Sequence, residues 1–100
     1  MATFTIRQLP EFAVWLSGIK DSKTRLRLAR RLDKAQRGLF GDVQPVGEGV
    51  SEFREDFGPG WRMYFVQRGS ALIVMLGGGD KSTQAKDIVK AKLLAATLED

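Results

Sequence analysis

The run of apolar residues from Ala71 to Leu76 restricts the fold more than any other feature of this sequence. A half-buried strand alternates apolar and polar residues, whereas an unbroken apolar run of this length suits a strand that is covered on both faces. Gly69 and Ser70 predict a turn before the run, and the three glycines at positions 77–79 are predicted to end it. Because a membrane-spanning helix needs roughly 20 apolar residues, the run predicts a buried strand of a globular domain.

The other segments give the element order β-α-α-β-β-β-α. Strands are predicted at Thr3–Arg7, Val50–Phe57 and Trp61–Arg68, and helices at Glu11–Ile19, Lys23–Arg37 and Thr83–Leu98. The segment Phe40–Gly49 contains glycines and a proline and is predicted to be a loop. This order predicts an α+β fold in which a mostly antiparallel four-stranded sheet packs against helices. We expect a single domain over residues 1–100, because the chain has no linker and no internal repeat.

The two middle strands are predicted to form a hairpin around Gly58, Pro59 and Gly60. This register pairs Phe57 with Trp61, Asp56 with Arg62, and Arg54 with Tyr64. One face then carries Phe53, Phe57, Trp61, Met63 and Phe65, and the other carries Glu52, Arg54, Asp56, Arg62 and Tyr64. The first face is predicted core, although Glu55 also falls on it, which implies a bulge or an edge position.

The second face groups two guanidinium groups, a phenol and carboxylates on a rigid sheet. Such a group suits the positioning of an anion. Cross-strand ion pairs, such as Asp56 with Arg62, explain the same pattern without any ligand. The residues alone leave both explanations open.

The second predicted helix has one face that is almost entirely cationic. At about 100° per residue, its positive side chains fall within one arc about 120° wide. These side chains are Lys23, Arg27, Arg30, Arg31, Lys34 and Arg37. A solvated helix face would explain the arc, but a concentration of positive charge interrupted only by Asp33 favours an anionic partner.

The absence of cysteine and histidine removes several kinds of chemistry. With 0 Cys and 0 His, the chain has no disulfides, no zinc site of the usual Cys and His ligands, and no Ser-His-Asp or Cys-His nucleophile. We therefore expect no metal site and no cofactor. With 16 Lys and Arg against 12 Asp and Glu, the net charge is +4. The N-terminal residues do not have the pattern of a signal peptide, so we expect a cytoplasmic protein without membrane attachment.

Residues 77–83 superficially look like a phosphate-binding loop. Asp80 stands before Lys81 where the Walker motif has glycine, and the required upstream glycine is missing. We therefore exclude nucleotide hydrolysis. We expect the segment instead to expose Lys81, Ser82 and the start of the last helix, where an anion can bind.

Three stretches of the sequence resemble the RelE/ParE toxin superfamily, and more narrowly its HigB-like branch, the addiction module killer proteins. They are Phe53-Arg54 before the turn, Trp61-Arg62-Met63-Tyr64-Phe65, and Leu76-Gly-Gly-Gly-Asp-Lys-Ser-Thr-Gln84 followed by Asp87-Ile88 and Ala91. The resemblance covers Phe4 to Leu98. It implies a bacterial type II toxin that cuts mRNA on the ribosome without a metal. In this reaction the ribose 2′-OH attacks the adjacent phosphate, leaving a 2′,3′-cyclic phosphate and a 5′-OH end.

The resemblance also implies which residues act and which partners are present. Arg54, Arg62 and Lys81 would form the basic catalytic set, since fixed cations stabilise the charge of the transition state. Glu52, or Lys81 in its neutral form, would accept the 2′-OH proton, and Tyr64 would stack on a base or donate a proton. No histidine or aromatic residue follows Lys81, so a lysine or arginine would have to protonate the leaving group.

The implied partners are the ribosome, mRNA and a helix-turn-helix antitoxin, with operator DNA bound only through the antitoxin complex. The cationic helix face would dock on ribosomal RNA or hold an acidic antitoxin segment. Two alternatives remain open at this point. One is a ParE-like toxin that inhibits DNA gyrase by binding, and the other is an inactive basic nucleic-acid-binding module.

Overall fold

A computed structural model of the protein describes residues 3–98, which form a five-stranded sheet and three α-helices. The strands are β1 (Thr5–Gln8), β2 (Val43–Gly47), β3 (Val50–Arg54), β4 (Trp61–Arg68) and β5 (Leu72–Asp80). The helices are α1 (Pro10–Ser17), α2 (Ser22–Gln36) and α3 (Gln84–Ala96), with a 3-10 turn at Lys81–Thr83 before α3. The predicted α+β class and mostly antiparallel sheet are confirmed, with one strand more than predicted.

The sheet has the strand order β1-β5-β4-β3-β2, and helices cover both of its faces. β1 is parallel to β5, and all other neighbours are antiparallel. Phe12 of α1 and Leu28 and Leu32 of α2 pack on one face, whereas Ala91 and Ala95 of α3 pack on the other. Residues 73–76 of β5 contribute alternately to the two cores, as the apolar run predicted.

The additional strand β2 lies inside the predicted loop Phe40–Gly49, so that prediction was wrong. β2 pairs with β3 through a tight turn at Glu48 and Gly49, whose φ angles of 56° and 79° are both positive. Pro45 suggested a loop, but β2 is an edge strand, where a missing N–H is tolerated.

The predicted register between β3 and β4 is also wrong, because it is displaced by two residues. Arg54 pairs with Arg62 and Glu52 with Tyr64, and the connecting loop runs over residues 55–60. Asp56 therefore lies in this loop and not opposite Arg62. Because the displacement is an even number of residues, the paired side chains keep their predicted faces.

The three glycines continue β5 rather than ending it, contrary to the prediction. Gly77, Gly78 and Gly79 pair with Tyr64, Met63 and Arg62 of β4. A Cβ atom on Gly78 would lie 2.5 Å from the Trp15 ring, and one on Gly79 would lie 1.9 Å from the Asp87 carboxylate. Glycine is thus required where α1 and α3 approach this strand closely.

Among residues 3–98, no helix has the length and apolar character needed to cross a membrane.

The close contact between Gly78 and Trp15 predicts a difference between neighbouring glycines. Gly78→Ala should lower the free energy of unfolding by about 1–3 kcal/mol, because the added methyl group overlaps the indole ring. Gly77→Ala is the matched control, since a Cβ atom there meets open space, and its effect should stay within about 0.5 kcal/mol. Urea unfolding of both variants measures the difference. Equal effects of the two substitutions would contradict this account of the strand.

Candidate active site

The register of β3 and β4 places two guanidinium groups beside one carboxylate. Arg54 and Arg62 are direct cross-strand partners, and Glu52 precedes Arg54 by two residues on the same face. The Nε atoms of Arg54 and Arg62 lie 3.7 Å and 3.8 Å from the same oxygen, Oε2 of Glu52. Because like charges directly opposite each other repel, the shared carboxylate is what allows this pairing.

The cluster is more deeply buried than a group on the sheet surface. The exposed fraction is 0% for Arg62, 2% for Glu52 and 0% for Tyr64, whereas the Arg54 side chain is one-third exposed. Gln84, the first residue of α3, helps to cover the cluster, because its amide donates hydrogen bonds of 3.0 Å and 3.1 Å to the two Glu52 oxygens.

Several hydrogen-bond donors of the cluster have no partner among the described residues. Arg62 Nη1 donates to the carbonyl oxygens of Trp61 and Glu55 at 3.0 Å and 3.2 Å. In contrast, Nε and Nη2 of Arg62, Nε of Arg54 and the Tyr64 hydroxyl are buried without a hydrogen bond. Leaving a buried donor unsatisfied costs about 1–3 kcal/mol, more when it is charged, so proteins rarely tolerate several such donors together. An anion with several oxygens would satisfy them.

Tyr64 is a neutral hydrogen-bonding group at the base of the cluster. Burial raises the pKa of its phenol, and the nearby carboxylates of Glu52, Asp87 and Asp80 raise it further, whereas Arg62 lowers it. Its ring is fully buried, so it cannot stack on an RNA base in this arrangement. Of the two roles considered for Tyr64, only proton or hydrogen-bond donation is compatible with the geometry.

Lys81 lies just beyond the end of β5 and is exposed. β5 runs beside β4 so that Gly79 pairs with Arg62 and Asp80 with Trp61. A Cβ atom on Gly60 would lie 2.9 Å from Lys81 carbon atoms, so the Lys81 stem packs over this glycine. Lys81 therefore lies near the end of the sheet that holds the arginine pair.

Asp80 fixes the turn that carries Lys81. Its Oδ1 accepts hydrogen bonds from the Ser82 backbone N–H at 2.8 Å and from the Ser82 hydroxyl. These hydrogen bonds hold the pKa of Asp80 below its usual range. Asp80 thus caps the 3-10 turn, and the Ser82 hydroxyl is engaged within the turn.

The cationic face of α2 is exposed except at one position. Lys23, Arg27, Arg30, Lys34 and Arg37 are exposed. Arg31 is only 9% exposed. The prediction that places Arg31 on a docking surface does not fit this burial, because its side chain turns inward to the loop 55–60.

Arg31 has a structural role that the sequence did not predict. Its guanidinium donates to the carbonyl oxygens of Phe40, Asp42 and Arg54 at 2.7–3.1 Å, and it forms an ion pair with Glu55. The one sequence feature that pointed to this role was Glu55, whose carboxylate the predicted hairpin placed on an apolar face. Its partner is the buried arginine, which holds the loop against α2.

Among residues 3–98, no group of three or more His, Cys, Asp or Glu side chains could hold a metal ion.

Comparison with known proteins identifies a sequence relative and a solved structure of similar fold. No family model matches the sequence. An uncharacterized protein of Haemophilus influenzae is 42% identical to it over 96 residues, which cover 96% of this chain and 97% of the relative. The structure of the E. coli toxin RelE, a double arginine-to-alanine mutant in the free state, is similar with a TM-score of 0.72. That match covers 98% of this chain and 100% of the RelE chain at 12% identity, so the two chains share a fold.

The environment of Tyr64 predicts an alkaline titration that is coupled to unfolding. Because Tyr64 is the only tyrosine, the ultraviolet absorbance of tyrosinate reports on it alone. The folded state favours the protonated phenol, so the stabilisation is complete below the ordinary value of 10.0 and is lost as the pH rises through the higher folded pKa. We expect no tyrosinate in the folded protein near pH 10, whereas the urea-unfolded chain titrates there. Ionisation near pH 10 with native circular dichroism would contradict the buried environment.

Proposed function

We propose that this chain is a toxin of a type II toxin–antitoxin system. It belongs to the same family as the uncharacterized Haemophilus influenzae protein, and it has the fold of RelE. The toxin is a single domain of the HigB-like branch. It acts as a metal-independent, ribosome-dependent endoribonuclease that cuts mRNA and stops translation in the cytoplasm.

The observation that carries this proposal is the group of unsatisfied donors around Glu52. Arg62 presents its Nε and Nη2 donors, and Arg54 its Nε donor, without a hydrogen-bond acceptor among the described residues. A phosphate diester offers two non-bridging oxygens, and a guanidinium group binds two such oxygens in parallel. Arg54 is the more exposed of the pair, so it meets the phosphate first, and Arg62 binds it from beneath.

The arginine pair stabilises the charge that develops during cleavage. Attack of the 2′-OH on the adjacent phosphorus adds negative charge to the phosphoryl oxygens. Donors already held in place stabilise this charge without reorganisation, and removal of one such donor typically lowers the rate by about 10²–10³-fold. Glu52 and Gln84 hold the two guanidinium groups in position for this task.

Two further residues transfer the protons. The Glu52 carboxylate accepts the proton of the 2′-OH once the Gln84 amide that covers it moves aside, and the Lys81 ammonium donates one to the departing 5′ oxygen. The bond from phosphorus to the 5′ oxygen breaks as the bond to the 2′ oxygen forms, which gives a 2′,3′-cyclic phosphate and a 5′-OH end. Tyr64 stays protonated and donates a hydrogen bond to the bound phosphate.

The exposed cations of α2 supply affinity that does not depend on sequence. Lys23, Arg30 and Arg37 neutralise phosphates of ribosomal RNA when the toxin docks on the ribosome. The cognate partner is a helix-turn-helix antitoxin, and operator DNA is bound only through the complex with it.

An Arg62→Lys substitution tests the proposed role of the arginine pair. Lysine keeps the positive charge beside Glu52, so the fold should persist, but it lacks the planar fork that binds two oxygens. We expect the rate of mRNA cleavage in a reconstituted translation reaction to fall at least about 100-fold. The measurement is the mapping of new 5′ ends on the mRNA, with circular dichroism as the check on folding.

Arg68→Lys is the matched control, because Arg68 lies on the same strand outside the cluster. It should cleave like the wild type. Cleavage by Arg62→Lys at the wild-type rate would contradict the role of Arg62. Intact mRNA with the wild-type protein, together with inhibition of DNA gyrase, would replace the nuclease by a ParE-like activity.

A further inference from the structure

A groove of about 570 Å³ lies between α2, residues 39–42 and the loop at residues 55–57. Its walls combine the cations Arg27, Lys34 and Arg54 with the carboxylates of Asp42 and Asp56. Sites for small ligands typically measure about 300–1,000 Å³, so the groove has room for one nucleotide.

One wall of the groove is a guanidinium group that rests on an aromatic ring. The Cζ atom of Arg27 lies 3.9 Å from the centroid of the Phe57 ring. Phe57 is half-buried and packs against the core, whereas the Arg27 side chain is 61% exposed. Arg27 therefore has support from the protein on one side and access to solvent on the rest. A planar cation in this position is a platform on which an RNA base can stack.

The loop below the Arg27 guanidinium is held in place from within the protein. Arg27 Nε lies 4.0 Å from Glu55 Oε1, and Glu55 is bound in turn by the buried Arg31. Arg31 also holds the carbonyl oxygen of Arg54 at 2.8 Å. The loop that carries Phe57 is thus attached to α2, so little ordering is needed before a ligand binds.

The groove and the proposed catalytic cluster share Arg54 at the end of β3. Arg54 lines the groove, and its Nε lies 3.7 Å from Glu52, the carboxylate shared with Arg62. The groove lies on the α2 side of the sheet and the cluster on the α3 side, so an RNA strand that contacts both passes the end of β3.

The distribution of charge favours a nucleotide over an acidic peptide. Lys34 and Arg54 can bind phosphates, and the carboxylates of Asp42 and Asp56 can accept hydrogen bonds from the amino groups of a base. An acidic peptide would bring its own carboxylates close to Asp42 and Asp56, where like charges repel.

We propose that this groove is a nucleotide subsite, in which a base of the bound RNA stacks on the Arg27 guanidinium that Phe57 supports. The subsite rests on the proposed nuclease function and extends it, because it gives the enzyme a contact with a base as well as with phosphates.

Binding of a short fluorescent oligoribonucleotide tests the subsite separately from cleavage. Arg27→Lys keeps the charge but removes the planar group, and Phe57→Leu keeps an apolar side chain but removes the ring below it. Each should weaken binding about tenfold, the usual scale of one stacked base, with an unchanged dependence on salt. Arg7→Lys, on the far edge strand β1, should bind like the wild type.

An oligoribonucleotide series with single abasic positions completes the test. The wild type should lose about tenfold in affinity at one position, and Arg27→Lys should lose nothing further there, because the contact is already absent. Wild-type affinity of Arg27→Lys would overturn the subsite and leave Arg27 as a charge contact only. Preferential binding of an oligoglutamate peptide, weakened by both variants, would overturn it in favour of a protein partner.

The outcome of this test is distinct from that for the nuclease. If the wild type binds with these base-dependent effects but mRNA stays intact, the subsite stands and the nuclease proposal fails. If mRNA is cleaved and both variants keep wild-type affinity and cleavage positions, the nuclease proposal stands and the subsite is refuted.

Discussion

The buried carboxylate of Glu52 is the constraint on which the site depends. The strand register brings Arg54 and Arg62 directly opposite each other, an arrangement that repulsion between like charges disfavours. Glu52 offsets this repulsion with one oxygen near both Nε atoms, and Gln84 satisfies both of its oxygens. The sheet can therefore keep two cations together in the absence of a ligand. Nε and Nη2 of Arg62 and Nε of Arg54 still have no hydrogen-bond acceptor among the described residues, and a bound anion would supply one.

Arg31 holds the loop at residues 55–60 in place, as Glu52 holds the arginine pair. Its buried guanidinium donates hydrogen bonds to three backbone carbonyl oxygens and forms an ion pair with the Glu55 carboxylate. One of these carbonyl oxygens belongs to Arg54, so the same arginine that holds the loop also fixes the end of β3. Removal of one partner from a buried pair is costly, because it leaves the other charge without compensation. Arg31 thus fixes the backbone of Arg54, and Glu52 fixes its side chain.

The sequence predicted the features that depend on local patterns and missed those that depend on distant partners. The apolar run in β5 and the helical period of α2 follow from spacing alone, and the structure confirms both. The β3–β4 register was predicted two residues away from its actual position, because the loop at residues 55–60 is held by Arg31, which is 24 residues before Glu55. Glu52, Arg54, Arg62 and Tyr64 keep their predicted face despite this error, since an even displacement leaves each strand side chain on its face, whereas Asp56 lies in the loop. Its burial could not be predicted, because it depends on where α3 begins.

Under the proposed function, the difference in burial between the two sets of cations separates RNA binding from chemistry. The exposed cations of α2 face water, where salt screens their attraction to RNA within about 10 Å at ordinary ionic strength. Arg62 is fully buried, so its interaction with a bound phosphate is screened far less. Under the proposed function, salt therefore weakens the capture of RNA but affects the step at the arginine pair much less. That function requires a chain with a net charge of only +4 to bind a polyanion reversibly, and the buried arginine would still concentrate a strong electrostatic effect on one phosphate.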